Sequence, residues 1–210
     1  MKKKNKAIYL LFLMPFVYFA TACFVVWLVK TSGIYPSGSD TMYHVYRGDY
    51  VYNAIKSGNW YPLYDPAWYN GVEILRYWSP FPAYVMAFCQ YLAGGSQFGA
   101  YLFYIGGVCF LGACVWPFIG RGFNRPYLGA FIGLLWFFMP NNLCAIFIEG
   151  NLARSLSMIF LPVFIYSVYK YLYNHKLRYI PLMVFTFLLM ELCHLGYAGM
   201  VAILYMELFI

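Results

Sequence analysis

No charged side chain occurs between Lys6 and Lys30. A helix needs about 20 apolar residues to cross a hydrocarbon core of about 30 Å, and the run at 7–29 meets that length. Four more predominantly apolar blocks follow, at 98–119, 127–148, 152–173 and 179–194. The first run opens on Lys2, Lys3, Lys4 and Lys6, as a signal peptide would. It is too long for a signal-peptide core and shows no small-residue cleavage site, so we read a retained signal anchor.

Composition points the same way. Apolar residues make up 63% of the 210 residues and charged residues 10%, against about 25% charged in a soluble domain. One globular core of this size cannot hide that much apolar surface, so lipid must solvate part of it. The net charge of +7 comes from short basic clusters between apolar runs. These suit cytoplasmic anchoring and argue against a nucleic-acid partner. The six cysteines lie in apolar runs, without a CxxC pair or zinc-ligand spacing, and read as small core residues. The final run at 200–210 ends without a polar anchor, so we expect the N-terminal part of a longer polypeptide, forming a single transmembrane domain over 1–210.

Residues 30–79 carry Asp40, Asp49, Asp65 and Glu73, four of the seven acidic residues. A connection this long is expected to be functional. Residues 81–92 form an apolar helix of about 18 Å, too short to cross alone. If this helix does not cross, Arg121, Arg125, Lys170, Lys176 and Arg178 all face the cytoplasm. If it crosses, all five face outward, against the positive-inside rule. The first case is chosen. It makes 30–97 one extracytoplasmic loop with an interfacial or re-entrant helix, and leaves the N-terminus cytoplasmic.

On the outer face, Ser39 is placed to cap a helix running to about Gly58, with Asp40 in its first turn. Asp40, His44 and Arg47 fall at i, i+4 and i+7, on one helical face. The plain alternative is a solvated polar stripe. Glu149 and Arg154 flank a second boundary, either as functional groups or as a local ion pair. His194 follows Glu191 by three residues, and a hydrogen-bonded Glu191–His194 pair is the economical reading of that segment.

The order of these elements carries a resemblance. A first span precedes Gly38-Ser39-Asp40-xxx-His44; then come 54–62 (AIKSGNWYP), Asn70-Gly71, Ser79-Pro80-Phe81-Pro82, Glu149-Gly150-Asn151-Leu152-Ala153-Arg154, and a span with His194. This resembles the GT-C-type membrane glycosyltransferases, and most closely a bacterial branch labelled "6-pyruvoyl-tetrahydropterin synthase-related". The label carries no chemistry here, since no residue pattern suggests a pterin site. The resemblance implies an all-α polytopic membrane protein of the bacterial plasma membrane, a GT-C-like helix bundle with a large first extracytoplasmic loop. It implies transfer of sugar from a polyprenyl-phosphate donor, with Asp40 catalytic and Arg154 and His194 on the donor phosphate; the residue pattern on the outer face adds His44, Arg47 and Glu149 as candidate substrate-binding residues. A divalent metal belongs to some such sites, but the first loop lacks an adjacent acidic pair to hold one. Membrane lipid and the polyprenyl-phosphate sugar are the expected partners. Two other readings stay open. One is a transporter or flippase, which should show broken spans and internal repeats. The other is a catalytically silent scaffold of the same shape.

Overall fold

A computed structural model describes residues 2–36 and 38–207, with side chains from residue 12 onward. Ser37, the last three residues and the side chains of the N-terminal lysine cluster lie outside the described residues. Helix α1 (Lys2–Ser32) buries one narrow stripe, Met14, Tyr18, Ala22 and Val29, and leaves Phe12, Phe16 and Trp27 exposed. That inside-out distribution is what lipid contact permits. Its stripe meets α4 (Gln97–Gly122) and α5 (Pro126–Leu135), where the Tyr18 hydroxyl donates to Ala130 O at 2.8 Å. α4 and α5 approach closely through Gly120 and Gly129. A Cβ on Gly120 would lie 2.6 Å from Gly129 Cα.

Among the described residues four segments are long and apolar enough to span: Phe12–Ser32, Gln97–Gly122, Pro126–Ile148 and Leu152–Asn174. The last two are not the unbroken helices their hydropathy suggests. After α5 a 3₁₀ turn covers Trp136–Phe138, followed by α6 (Pro140–Leu143) and a π turn at Cys144–Ile148. Pro140 has no N–H for Trp136 O, four residues back, and the residue before a proline resists helical geometry. Met139 is accordingly extended, and Asn142 Nδ2 donates to the stranded Trp136 carbonyl at 2.8 Å. The next segment divides into α7 (Leu152–Ser157) and α8 (Leu161–Asn174), with Pro162 in the first turn of α8.

The expected fifth span needs correction. It forms α9 (Ile180–Cys193), 14 residues long, which then breaks at His194 before α10 (Leu195–Glu207). Fourteen residues rise about 21 Å, short of the hydrocarbon core. Both helices lean on α8, since Phe164 touches Phe187 of α9 and Tyr205 of α10.

The long loop is folded. α2 (Thr41–Lys56) and α3 (Phe81–Leu92) pack together and share a small core of Val51, Ile74, Leu75, Ala83 and Ala87. Gly48 allows the contact: a Cβ there would lie 2.2 Å from Met86 Cγ. Gln90 Nε2 donates to Asp49 at 2.6 Å across the same seam. Between the two helices, buried Asp65 organises the chain. It exchanges backbone bonds with Val72 and accepts from the Tyr46 hydroxyl and Ala67 N–H. Gly94 and Gly95, both at positive φ, turn α3 into α4.

At the far end of the bundle, Arg121 and Arg125 flank the α4–α5 turn. Lys170 donates to Gly122 O at 2.7 Å, and Tyr166 packs on Tyr179 beside Arg178. The basic residues thus gather at one end and the folded loop at the other.

Candidate polar site at the loop end

Tyr104 lies seven residues into α4, about 10 Å from its start. Its hydroxyl donates to Leu152 O at 2.9 Å, which fixes the depth of the break at 149–151. Here the first loop crosses the 149–151 connection, glycine on glycine. A Cβ on Gly38 would lie 2.5 Å from Gly150 Cα, and one on Gly150 2.1 Å from Thr41 Oγ1; Gly150 also sits at φ +68°. With both side chains absent, Asp40 N–H donates to Glu149 O at 3.1 Å, and the Ser39 hydroxyl donates to the same carbonyl at 3.1 Å.

Asp40 is the residue that caps α2, one position earlier than the first turn the sequence suggested. Its side chain makes no capping bond; its Oδ1 lies 3.1 Å from the Ser39 hydroxyl, whose one proton it shares with Glu149 O, and it remains half-buried. A carboxylate with spare lone pairs can take a proton from a hydroxyl group.

His44 and Arg47 are not a solvated stripe. His44 is 6% exposed and Arg47 1%. Burial, reinforced by the charges of Arg47 and His194, pushes the His44 pKa down to about 3, so its imidazole is neutral. Arg47 Nη2 donates to the carbonyls of Trp78 and Ser79, each at 3.3 Å, and its guanidinium lies 5.4 Å from the centre of the Tyr43 ring. Its Nε has no partner. Among the described residues the ion pairs are Arg76–Glu73 and Arg154–Glu149, so Arg47 is a buried cation without a carboxylate.

Glu149 and Arg154 form the local ion pair that their spacing allowed. Arg154 grips both carboxylate oxygens, Nη1 to Oε2 at 2.7 Å and Nη2 to Oε1 at 3.1 Å. Arg154 Nε is left without a partner. Asn151, to which the sequence reading gave no role, caps α7 by accepting Arg154 N–H at 2.9 Å.

His194 does not pair with Glu191. Its Nδ1 accepts the Tyr197 N–H at 2.9 Å, which puts the ring proton on Nε2. Nε2 faces the Asn151 amide nitrogen at 3.4 Å. The Asn151 oxygen is already engaged by Arg154 N–H, so Nε2–H and the Asn151 amide present donors to one another. His194 stands within electrostatic reach of Asp40 on one side and Arg154 on the other. Glu191 instead offers its backbone carbonyl to the Ser79 hydroxyl at 2.8 Å, which ties the stretch over Arg47 to α9.

The structure therefore brings Asp40, His44, Glu149, Arg154 and His194 to one place and sets Arg47 beneath the Trp78–Ser79 backbone. Among the described residues no three His, Cys, Asp or Glu side chains form a metal-binding group. The donor set does not fit a divalent cation.

A bundle of spanning helices, with a folded loop and a polar cluster recessed at one end, defines a polytopic helical membrane protein. The chain belongs to the family described as the 6-pyruvoyl-tetrahydropterin synthase related domain, a membrane protein, whose model matches residues 75–210. The matched stretch includes Glu149, Arg154 and His194; Asp40, His44 and Arg47 precede it. No curated protein and no solved structure matches the chain.

Proposed function

We propose that this chain is a GT-C-like glycosyltransferase, or a relative of one, using a polyprenyl-phosphate-linked sugar at the outer face of the membrane. The observation that carries the reading is the meeting of Asp40 with Arg154 and His194, contributed by three separate stretches of sequence, at one depth. In the proposed reaction an acceptor hydroxyl attacks the anomeric carbon and its proton passes to Asp40. The bond from that carbon to the phosphate oxygen breaks, and the polyprenyl phosphate leaves with the electron pair. Arg154 and the His194 Nε2–H would receive the charge that grows on the leaving oxygen. Arg154 would exchange one Glu149 oxygen for a phosphate oxygen. The basic cluster at the opposite end supports a cytoplasmic location for that end, and with it an outer location for the site.

The test is sugar transfer from a polyprenyl-phosphate donor by full-length protein in detergent. Asp40→Asn keeps the size of the side chain and removes the base, a loss of about 10²–10⁴ in rate. Arg154→Lys keeps the charge and loses the two-pronged grip, so it too should slow transfer. Wild-type transfer by a stable Asp40→Asn protein would contradict the assignment.

One observation favours a second reading. The 3₁₀ turn at Trp136 lies against Gly112, near the middle of α4, and broken helices near a bilayer midplane are a transporter feature. Uptake of a charged solute by proteoliposomes, lost on removing the Arg154 charge and accompanied by no sugar transfer, would establish it.

A further inference from the structure

Away from the polar cluster, an apolar groove of about 940 Å³ runs between α1 and α4. It shares no lining residue with the cluster and does not depend on the chemistry proposed there. Lys30 stands at its loop-end mouth; Lys30 is exposed and in no ion pair among the described residues. Phe19 and Phe110 meet edge to face, with centroids 5.8 Å apart, at the other end. From Lys30 to Phe19 the helix rises about 16 Å, the depth of one leaflet of a core of about 30 Å. The groove is thus one leaflet deep and carries a cation where a lipid headgroup would sit.

Gly107 supplies a separate observation. It lines the groove, and a Cβ built on it meets nothing within 4 Å. Its neighbour Gly106 is needed for packing, since its Cβ would lie 2.9 Å from Val26. No protein neighbour needs Gly107, although a glycine inside a helix costs backbone entropy. That space is open to an occupant from outside the chain.

We propose that the groove is a lipid site, with one acyl chain of an anionic phospholipid lying along it and the lipid phosphate paired with Lys30. The chain covers the exposed rings of Phe19, Trp27 and Phe103, and the phosphate neutralises a lysine left without a protein partner.

Native mass spectrometry of the purified 210-residue chain tests this, with phosphatidylglycerol and phosphatidylcholine of matched chain length added to the micelle. Wild type should retain one phosphatidylglycerol, favoured about fivefold over phosphatidylcholine, as expected for one lysine at an anionic headgroup. Lys30→Gln should erase the preference while still retaining either lipid. Gly107→Phe, whose Cβ enters open space and whose ring projects into the groove, should retain neither, with circular dichroism and melting unchanged. Equal retention of both lipids by wild type would overturn the proposal, as would lipid retention by a folded Gly107→Phe protein. A wild-type dimer that Gly107→Phe converts to a monomer would overturn it too, by making a second copy the occupant.

Discussion

His44 illustrates how much a single side chain's surroundings decide. Its pKa falls from the ordinary 6.5 to about 3 because burial disfavours the imidazolium. Between those values the unfolded chain binds a proton at this position and the folded chain does not. Stability is therefore full above about pH 6.5 and declines as the pH falls toward 3, by at most about 1.4 kcal/mol per unit. Thermal melts across that window should show the loss in wild type and a shallower slope in His44→Gln. Equal slopes would mean that His44 is solvated. Asp65 gives a second expectation at this scale. Tyr46→Phe removes a hydrogen bond from a buried carboxylate, so it should cost about 1–3 kcal/mol and leave sugar transfer untouched, because Asp65 holds the loop and not the cluster. The spacing of Asp40, His44 and Arg47 was legible as a shared helical face. Their burial was not, because periodicity says which residues face together but not what covers them. The cover here is Trp78–Ser79, more than thirty residues onward.

At the scale of elements, α2 and α3 fall close to their expected bounds, since apolar periodicity, Gly58 and the Ser79–Pro82 turn mark their ends locally. The spans after α5 were less legible. Hydropathy averages over a window and does not register a proline with a side-chain rescue two residues later. The Pro140–Asn142 pair makes a sharp test. Asn142→Ala alone should cost about 1–3 kcal/mol, by leaving the buried Trp136 carbonyl without a donor. In a Pro140→Ala background the cost should shrink, because the substituted residue supplies an N–H to that carbonyl. Additive effects in a melting-temperature cycle would mean that Asn142 acts elsewhere. The break at 193–195 was also hidden, since the backbone of His194 leaves helical geometry with neither Gly nor Pro at that residue to announce it.

For the whole molecule, counting basic residues along the chain anticipated that Arg121, Arg125, Lys170, Lys176 and Arg178 would share one end. Reporters fused at Gly122 and Asn59 should read opposite sides of the membrane, cytoplasmic and external; the same side for both would contradict the topology. The crossing of the first loop over the 149–151 connection was not legible in this way. It rests on Gly38 and Gly150, each an ordinary turn residue in its own stretch, and only the fold makes them neighbours. Everything proposed for Asp40, Arg154 and His194 depends on that crossing. It is tested most directly by placing cysteines at Ser39 and Glu149, whose hydroxyl and carbonyl lie 3.1 Å apart, in a Cys144→Ser background that removes the nearby native thiol. Treatment with a short bismaleimide in membranes, followed by proteolysis and peptide mass spectrometry, should yield a crosslink joining residues 39 and 149 within one chain. Two free thiols, or linkage only between chains, would show that the first loop does not meet the Glu149 segment and would dissolve the site.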